Sequence, residues 1–393
     1  MRRSRLKAID TLPERTLREL LRYCLAELPA LLGVLEQSVK KESPTNSKSH
    51  VDALARFFGR EFRRAGGRVK LLEHQEAGAA VLAEFWGKER GAKPLLLLGH
   101  HDTVWERGTL ERMPFRIRGG KAYGPGILDM KAGIVIGLGA IRSLEALGLR
   151  PSGPVRFFLN PDEEVSSRAF RKELEAEARR ARAVLVLEPA AQGGRLKTSR
   201  KGVGEFQITV RGRSSHAGIN PGAGINAIAE LARQLVRIEK LARPGRGLTL
   251  TVGLIHGGTR SNVVPERAWA AVDVRVPRLS DRPWIERQVY GLKPFHPGAR
   301  IEVTGGINRP PMMRAMAAEL FRRAQALGKG LGMDLREAST GGGSDGNFTA
   351  ALGIPTLDGL GAVGEGAHAL NEHVIIRELP RRMALLAALM ATL

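Results

Sequence analysis

Two spacings of apolar residues alternate along the first half of the chain. Apolar residues that recur every three to four positions predict helices, at 12–39, 50–64, 134–147 and 166–182. Short apolar runs between glycine, proline and polar residues predict strands, at 68–73, 79–85, 95–98, 155–159 and 184–187. Because strands alternate with helices and several strands are apolar throughout, we predict an α/β fold, with a mostly parallel sheet flanked by helices.

The order of the elements changes at about residue 201. Strands are predicted at 204–210, 248–255, 268–276 and 300–304, and helices at 223–241 and 281–290. The order strand, helix, strand, strand, helix, strand is that of a ferredoxin-like α+β domain. The earlier pattern then resumes, with elements at 314–330, 341–351 and 354–360 and a closing helix. We therefore predict a sheet domain in two parts, 1–200 and 311–393, with a separate domain, 201–310, inserted between them.

The composition sets limits on the chemistry. With 393 residues, of which 43% are hydrophobic, the chain is long enough to bury a substantial core. Cys24 is its only cysteine, so a disulfide within the chain and a cysteine metal site are excluded, and any metal must bind His, Asp or Glu. Residues 384–393 form the longest strongly apolar run, far short of the roughly 20 residues that a bilayer requires. No early segment has the order of a secretory signal, so we expect a cytoplasmic protein without membrane contact.

The net charge of +22 is the most unusual feature of the composition. Nucleic-acid-binding chains usually concentrate their cations in stripes with aromatic residues between them. Here Arg and Lys are scattered and only 5% of residues are aromatic, so we expect no nucleic-acid partner. Two interpretations stay open: a solvated surface with arginine ion-pair networks, and a positive field that attracts acidic substrates.

Metal-ligating side chains follow the apolar strands at the points where the strands end. The run 95–98 leads to His100 and to Asp102, which on an extended backbone point to the same side, and Asp129 follows a glycine-rich turn. Ligands in open α/β sheets bind at the carboxyl ends of the strands. Residues placed in this way later in the chain are Glu163, Glu164, Glu188 and His368. His100, Asp129, Glu164, Glu188 and His368 are enough ligands for two metal ions that share one carboxylate, an arrangement used for hydrolysis.

Each of these residues has a simpler explanation when taken alone. Glu163 and Glu164 resemble a solvated helix start, where the helix dipole favours carboxylates. Glu188 precedes a proline and has the context of a loop acid. It is the coincidence of position at successive strand ends that favours a metal site.

Eight motifs in order resemble those of one enzyme family. They are GHHDTV, GPGILDMKAG, DEE, LEP, GRSSHAG, NVVPE followed by DVR, GGGSDG, and the final His368. From about residue 50 to the C-terminus, the chain resembles the zinc-dependent aminoacylase, glutamate carboxypeptidase and succinyl-diaminopimelate desuccinylase family of metallopeptidases. The resemblance implies that the sheet domain is catalytic and that 201–310 is a lid or dimerisation domain. It also implies a cis peptide bond after Asp129.

The resemblance also implies a ligand set. His100, Asp129 and Glu188 would hold one zinc ion, while His368, Asp129 and Glu164 would hold the other. Cobalt and manganese are alternatives, because imidazole and carboxylate ligands suit several divalent ions. The resemblance further implies that Asp102 orients the His100 ring and that Glu163 is the general base.

Further residues resemble the substrate-binding groups of the family. His216 would stabilise the oxyanion, although its glycine-flanked loop also fits a turn histidine without a catalytic role. Asn262 would face the substrate. The substrate carboxylate would suit Arg275 or Arg309, although an ion pair with Asp273 on the same strand competes for Arg275. Gly342, between two further glycines, offers a bare backbone that a ligand can approach.

We therefore predict a di-zinc hydrolase that cleaves an amide bond next to a carboxylate, a carboxypeptidase of the glutamate carboxypeptidase type. The alternative is a deacylase of N-acyl amino acids, of the acetylornithine or succinyl-diaminopimelate type. A competing class is a non-catalytic anion-binding protein on the same fold. The expected substrate is a small N-acyl amino acid or peptide. The resemblance also implies a homodimer through 201–310, with His216 serving the partner's site.

Overall fold

A computed structural model describes residues 11–89 and 91–393. Their contacts divide the chain into two compact units. The first unit comprises the described residues up to Ser199, together with Met313–Thr340 and Ser344–Leu393. The second comprises Arg200–Met312 and Gly341–Gly343. The three glycines were expected in the sheet domain, but they cluster with the second unit.

The helices range from 4 to 26 residues in length. They are α1 (Glu14–Val39), α2 (Lys48–Arg64), α3 (Thr109–Arg112), α4 (Ala132–Ala146), α5 (Arg171–Arg180), α6 (Ala227–Glu239), α7 (Arg282–Tyr290), α8 (Arg314–Gly330), α9 (Gly346–Ala351) and α10 (Leu379–Thr392). Helix α1 continues through Pro29 as one element. No helix in the described ranges combines the length and apolar character needed to cross a membrane.

The strands range from two to ten residues. They are β1 (Arg68–Leu72), β2 (Ala80–Phe85), β3 (Leu95–His100), β4 (Arg116–Arg118), β5 (Lys121–Tyr123), β6 (Val155–Asn160), β7 (Ala183–Val186), β8 (Leu196–Arg200), β9 (Gly202–Arg211), β10 (Ser215–His216), β11 (Thr249–Gly257), β12 (Val263–Val264), β13 (Arg267–Val276), β14 (Arg300–Arg309), β15 (Glu337–Thr340), β16 (Thr356–Leu357), β17 (Gly364–Glu365) and β18 (His373–Ile375).

The first unit is built on a mixed sheet in the order β1-β2-β6-β3-β7-β16. Strands β6, β3, β7 and β16 run parallel, whereas β1 and β2 add an antiparallel edge. All six residues of β3 are buried, as expected for a strand with both faces covered. Its neighbours in register are Asn160 beside His100 and Val186 beside Leu98. The carboxyl ends of three strands therefore meet at one edge of the sheet.

Helices cover both faces of this sheet. On one side α1, α4 and α10 pack against one another. Helix α4 is buried almost all round, which is characteristic of a helix inside a core rather than at a surface. On the other side, Phe158, Leu174 and Phe348 join Leu96 and Leu98 in one apolar cluster. The predicted α/β architecture is thus confirmed.

The second unit is a four-stranded antiparallel sheet in the order β11-β13-β9-β14. Helices α6 and α7 pack on it through an apolar cluster that includes Phe206, Leu231 and Ile285. The elements follow the predicted order of strand, helix, strand, strand, helix, strand. Strand β11 lies at an edge, with Leu254 and Ile255 exposed.

Several boundaries differ from the prediction. The helix expected from 166 begins only at Arg171, because Ser166 and Ser167 adopt left-handed backbone conformations that a helix cannot include. The strand expected over 354–360 is limited to Thr356–Leu357, and Gly359 turns the chain with a φ of 75°. A small sheet in the order β17-β18-β5-β4 was not predicted, because strands of two or three residues are too short to show a period.

Candidate metal centre

The first half of the site is built where β3 and β7 end side by side. His100 is 1% exposed. Its Nε2 atom lies 3.2 Å from Oδ1 of Asp129 and 3.6 Å from Oε1 of Glu188. Because β3 and β7 are parallel neighbours, the residue that follows β7 by two positions reaches the imidazole at the end of β3.

The second half uses the other oxygen of the same aspartate. Nε2 of His368 lies 3.3 Å from Oδ2 of Asp129 and 3.5 Å from Oε1 of Glu164. Asp129 therefore has one oxygen facing each imidazole. The structure brings together all five residues predicted as metal ligands.

These distances fit a pair of divalent cations. Ligands bound tetrahedrally at the Zn–N and Zn–O distances of about 2.0–2.1 Å lie about 3.3 Å apart. The four separations between imidazole nitrogens and carboxylate oxygens are 3.2, 3.3, 3.5 and 3.6 Å. Oε1 of Glu164 is buried without a hydrogen-bond partner among the described residues, and a bound cation would satisfy it.

The imidazoles and carboxylates of the cluster shift one another's pKa values. Burial alone would lower the pKa of His100, but Asp102 and Asp129 raise it well above its ordinary value. The neighbouring carboxylates of Asp129 and Glu164 raise the pKa of His368 to about 10. Burial would raise the pKa of Asp129, but the two imidazoles hold it well below its usual range. A cation that binds must therefore displace protons from both histidines.

Asp102 connects His100 to the turn that carries the two glutamates. It is fully buried, and its Oδ1 lies 3.3 Å from Nδ1 of His100. Its oxygens also accept hydrogen bonds from the backbone amides of Glu163 and Glu164, both at 3.2 Å, and from Oγ1 of Thr45 at 2.8 Å. This is the contact expected of a residue that orients the imidazole.

Glu163 and Glu164 lie on a 3₁₀ turn, Glu163–Val165. Glu163 is buried, with 8% of its surface exposed. Adjacent side chains diverge on such a turn as they do on a strand. Glu164 faces His368 at 3.5 Å, and the role of Glu163 as general base stays a prediction.

His216 and Asn262 lie in the second unit on neighbouring segments. Strands β10 and β12 pair there, and the backbone amide of Ala217 donates to the carbonyl of Asn262 at 2.9 Å. The exposed His216 accepts hydrogen bonds at Nδ1 from the amides of Gly218 and Ile219, both at 3.1 Å. These contacts fit the alternative that His216 is a turn histidine without a catalytic role. Its role in stabilising the oxyanion remains a prediction.

The glycine-rich loop of the second unit is held by cations. Arg275 forms two hydrogen bonds of 2.8 Å with Asp273, the competing explanation in the sequence, and also donates to the carbonyl of Gly341. Arg200, which we did not single out, donates to the carbonyls of Gly342 and Gly343 at 3.1 Å. Arg309 is 7% exposed.

One buried acid beside the metal ligands also escaped the sequence reasoning. Glu372 accepts hydrogen bonds from the amides of Leu128 and Asp129, more than 240 positions away. Its only sequence signal is its position four residues after His368. The Asp129–Met130 peptide bond is cis, as the resemblance implied.

His101, between two site residues, remains without a role. It is fully buried, and burial lowers its pKa to about 4, so the ring is neutral at physiological pH. Neither ring nitrogen has a hydrogen-bond partner within the described part of the chain.

Comparisons with known proteins agree with this geometry. The model of peptidase family M20/M25/M40 matches residues 96–392. Carboxypeptidase G2 of Pseudomonas sp. (strain RS-16) is 33% identical over 377 residues, which cover 93% of this chain and 90% of that protein. A succinyl-diaminopimelate desuccinylase of Azoarcus sp. (strain BH72) is 27% identical over 314 residues, covering 75% and 82%.

A solved structure shows the same fold. A dinuclear metal binding peptidase of the M20 family from Bacillus subtilis superposes with a TM-score of 0.66 at 18% identity, covering 93% of this chain and 98% of the other. The match to the family model extends over most of the chain, and the relative at 33% identity covers nearly all of it. The chain therefore belongs to peptidase family M20/M25/M40 and is a metal-dependent hydrolase.

Proposed function

We propose that this chain is a di-zinc carboxypeptidase that removes a C-terminal acidic residue by cleaving the amide bond next to a carboxylate. The observation that carries the proposal is the aspartate shared between two imidazole–carboxylate groups, with Asp129 oxygens 3.2 and 3.3 Å from His100 and His368. The similarity to carboxypeptidase G2 at 33% identity supports the carboxypeptidase branch.

The residues around the ligands have separable tasks in this proposal. Two bound cations would polarise the scissile carbonyl and lower the pKa of an attacking water. Glu163, which is buried beside a ligand candidate but is not itself one, takes the proton from the water and delivers it to the departing nitrogen. Asp102 keeps the ring of His100 in one orientation, because it holds Nδ1 while Nε2 faces the metal position.

The specificity would come from positive charge. Arg275 donates to Asp273 through Nε and one terminal nitrogen, and Arg275 and Arg309 are both candidates for the substrate carboxylate. The net charge of +22 adds a field that attracts anions. Both features favour substrates with more than one carboxylate.

A deacylase of N-acyl amino acids is the second candidate. Succinyl-diaminopimelate desuccinylases are similar to this chain at 24 to 28% identity, and their substrates, by name, also carry an amide beside a carboxylate. The two candidates differ in which side of the amide carries the recognised group. Turnover of metal-loaded protein on peptides ending in Glu, Asp or Arg, against N-acetyl and N-succinyl amino acids, distinguishes them. A kcat/KM that is highest on the acyl amino acids would reject the carboxypeptidase assignment.

The role of Glu163 has its own test. We expect Glu163→Gln to bind the same number of metal ions as the wild type but to lose about 10²–10⁴-fold in kcat, the usual contribution of a general base. Glu76→Gln, at an exposed position, is the matched control and should keep full activity. Unchanged turnover in Glu163→Gln would rule out this mechanism.

A homodimer through the second unit is part of the proposal. Strand β11 is an edge strand, and Val252, Leu254 and Ile255 expose 38, 56 and 55% of their surface there. Such an edge can pair with a second copy. Light scattering coupled to chromatography should give a dimer mass that Leu254→Lys reduces to a monomer mass, whereas a wild-type monomer at every concentration would remove the dimer. The cytoplasmic location stays a prediction.

A further inference from the structure

Glu372 is a fully buried carboxylate with an unusually complete set of donors. Its Oε1 atom accepts hydrogen bonds from the backbone amides of Leu128 at 2.8 Å and Asp129 at 3.0 Å. Its Oε2 atom accepts from the amide of Gly126 at 3.0 Å and from Nε1 of Trp105 at 2.8 Å. A carboxylate has about four acceptor positions, so this group has no capacity left to bind a metal or to act as a base.

The segment that Glu372 holds is a kinked turn. Gly126 has a φ of 69°, and the backbone at Asp129 and Met130 departs from helical angles inside the turn Ile127–Lys131. Three backbone amides of this segment converge on one carboxylate, as in the anion-binding concavities formed by consecutive N–H groups. Glu372 therefore holds this segment against the part of the chain around residue 372.

The same residue closes the turn that carries the other histidine. His368 has a φ of 62°, an uncommon conformation for a residue with a side chain. The turn is closed by bonds from the amide of Ala369 to the carbonyl of Gly366 and from the amide of Glu372 to the carbonyl of Ala369, at 2.8 and 2.9 Å. Glu372 thus connects the His368 turn to the Asp129 segment.

The two halves of the metal centre differ in how they are supported. His100 and Glu188 sit at the ends of the buried, hydrogen-bonded strands β3 and β7. His368 is on a turn with 49% of its side chain exposed, and its fixed connection to Asp129 runs through Glu372. Loss of Glu372 should therefore affect the His368 half more than the His100 half.

We propose that Glu372 is a positioning residue that sets the distance between Asp129 and His368, and with it the affinity for the second cation. The inference rests on the proposed two-metal function and adds to it the expectation that the two ions differ in affinity. If Glu372 only stabilised the fold, its loss would lower the affinities for both cations together.

The test is a calorimetric titration of metal-free protein with zinc. Wild type should show two binding events. In Glu372→Gln an amide nitrogen replaces one acceptor oxygen and faces two N–H donors, so the connection between the Asp129 segment and the His368 turn should be weakened. The tighter event should stay within threefold of wild type, because β3 and β7 hold His100 and Glu188. The weaker event should lose about 10- to 100-fold in affinity, the usual effect of a residue that supports metal ligands. Glu365→Gln, on the exposed strand just before the turn, is the matched control and should leave both events unchanged.

A milder variant and a spectrum complete the design. Trp105→Phe removes one of the four donors and should weaken the second event by less than Glu372→Gln does. If Glu372→Gln does not fold, Trp105→Phe still tests whether the second event is weakened selectively. With cobalt in place of zinc, the visible spectrum of the first equivalent should match wild type in both variants, while that of the second should change. Two wild-type-like events in folded variants, or equal weakening of both, would overturn the positioning role alone. A wild type that binds only one ion would instead overturn the two-metal function.

Discussion

Replacing Asp102 by asparagine tests how the orienting carboxylate contributes to the site. Its Oδ1 serves Nδ1 of His100 and the amide of Glu163, and its Oδ2 serves Oγ1 of Thr45 and the amide of Glu164. In Asp102→Asn one of these oxygens becomes an NH₂ group. Whichever way the amide turns, one buried backbone N–H then faces a donor and loses its acceptor.

The expected magnitude follows from these contacts. A buried donor left without a partner costs about 1–3 kcal/mol, and the lost charge beside the His100 imidazole adds to this. We expect the metal-free variant to lose about 2–4 kcal/mol in the free energy of unfolding. Its zinc affinity should fall by about 10- to 100-fold, as for other groups that hold a ligating histidine.

The stability difference should depend on pH with a definite sign. Burial alone would raise the pKa of Asp102 and lower the pKa of His100. The ion pair between the two residues outweighs burial, so the pKa of Asp102 is lowered and that of His100 is raised. The stability from Asp102 is present above its ordinary pKa of 3.8 and is lost as pH falls. The stability from His100 is complete below its ordinary pKa of 6.5 and is lost as pH rises through the raised value. The variant should therefore differ most from wild type between these two pH values.

Urea unfolding of the metal-free proteins from pH 4 to pH 9 measures the difference, and a zinc titration measures the affinity. The same difference at every pH would show that the ion pair does not contribute as described. Wild-type affinity for zinc in Asp102→Asn would refute the orienting role itself.

Two further predictions concern glycine packing and the single thiol. A Cβ at Gly133 would lie 2.0 Å from the carbonyl oxygen of Leu187, whereas a Cβ at Gly33 in α1 meets no described atom within 4 Å. Gly133→Ala should therefore lower the free energy of unfolding by about 1–3 kcal/mol, and Gly33→Ala should raise it by about 0.5–1 kcal/mol. The midpoints of urea unfolding measure both changes. Equal effects of the two substitutions would contradict the difference in packing. Burial raises the pKa of Cys24 to about 12, so a thiol-specific dye at pH 8 should label it only after unfolding, and fast labelling of the native protein would contradict its burial.

The buried strands and the ligand set could be predicted because both leave signals in neighbouring residues. The run Leu95–Leu98 is apolar at every position and became the central strand β3. Parallel pairing then required that His100 and Glu188 meet at one edge, and their side chains lie 3.6 Å apart. The ferredoxin-like order of the second unit followed from long strands and amphipathic helices in the same way.

Residues whose partners are backbone groups could not be predicted. Glu372 and Arg200 form their hydrogen bonds with amides and carbonyls far away in the sequence. Arg382 has the local context of a surface arginine, yet it is 1% exposed and donates to the carbonyls of Gly361 and Gly194. Backbone groups are present at every position, so no side-chain pattern marks the ones that a buried charge will contact.

The central claim is that two cations share Asp129, and a crystal grown with excess zinc tests it directly. Anomalous scattering measured at the zinc edge should show two peaks roughly 3.5–4 Å apart. One peak should lie beside His100 and Glu188 and the other beside His368 and Glu164, with Asp129 between them. A single peak, or peaks bound by other residues, would contradict the account.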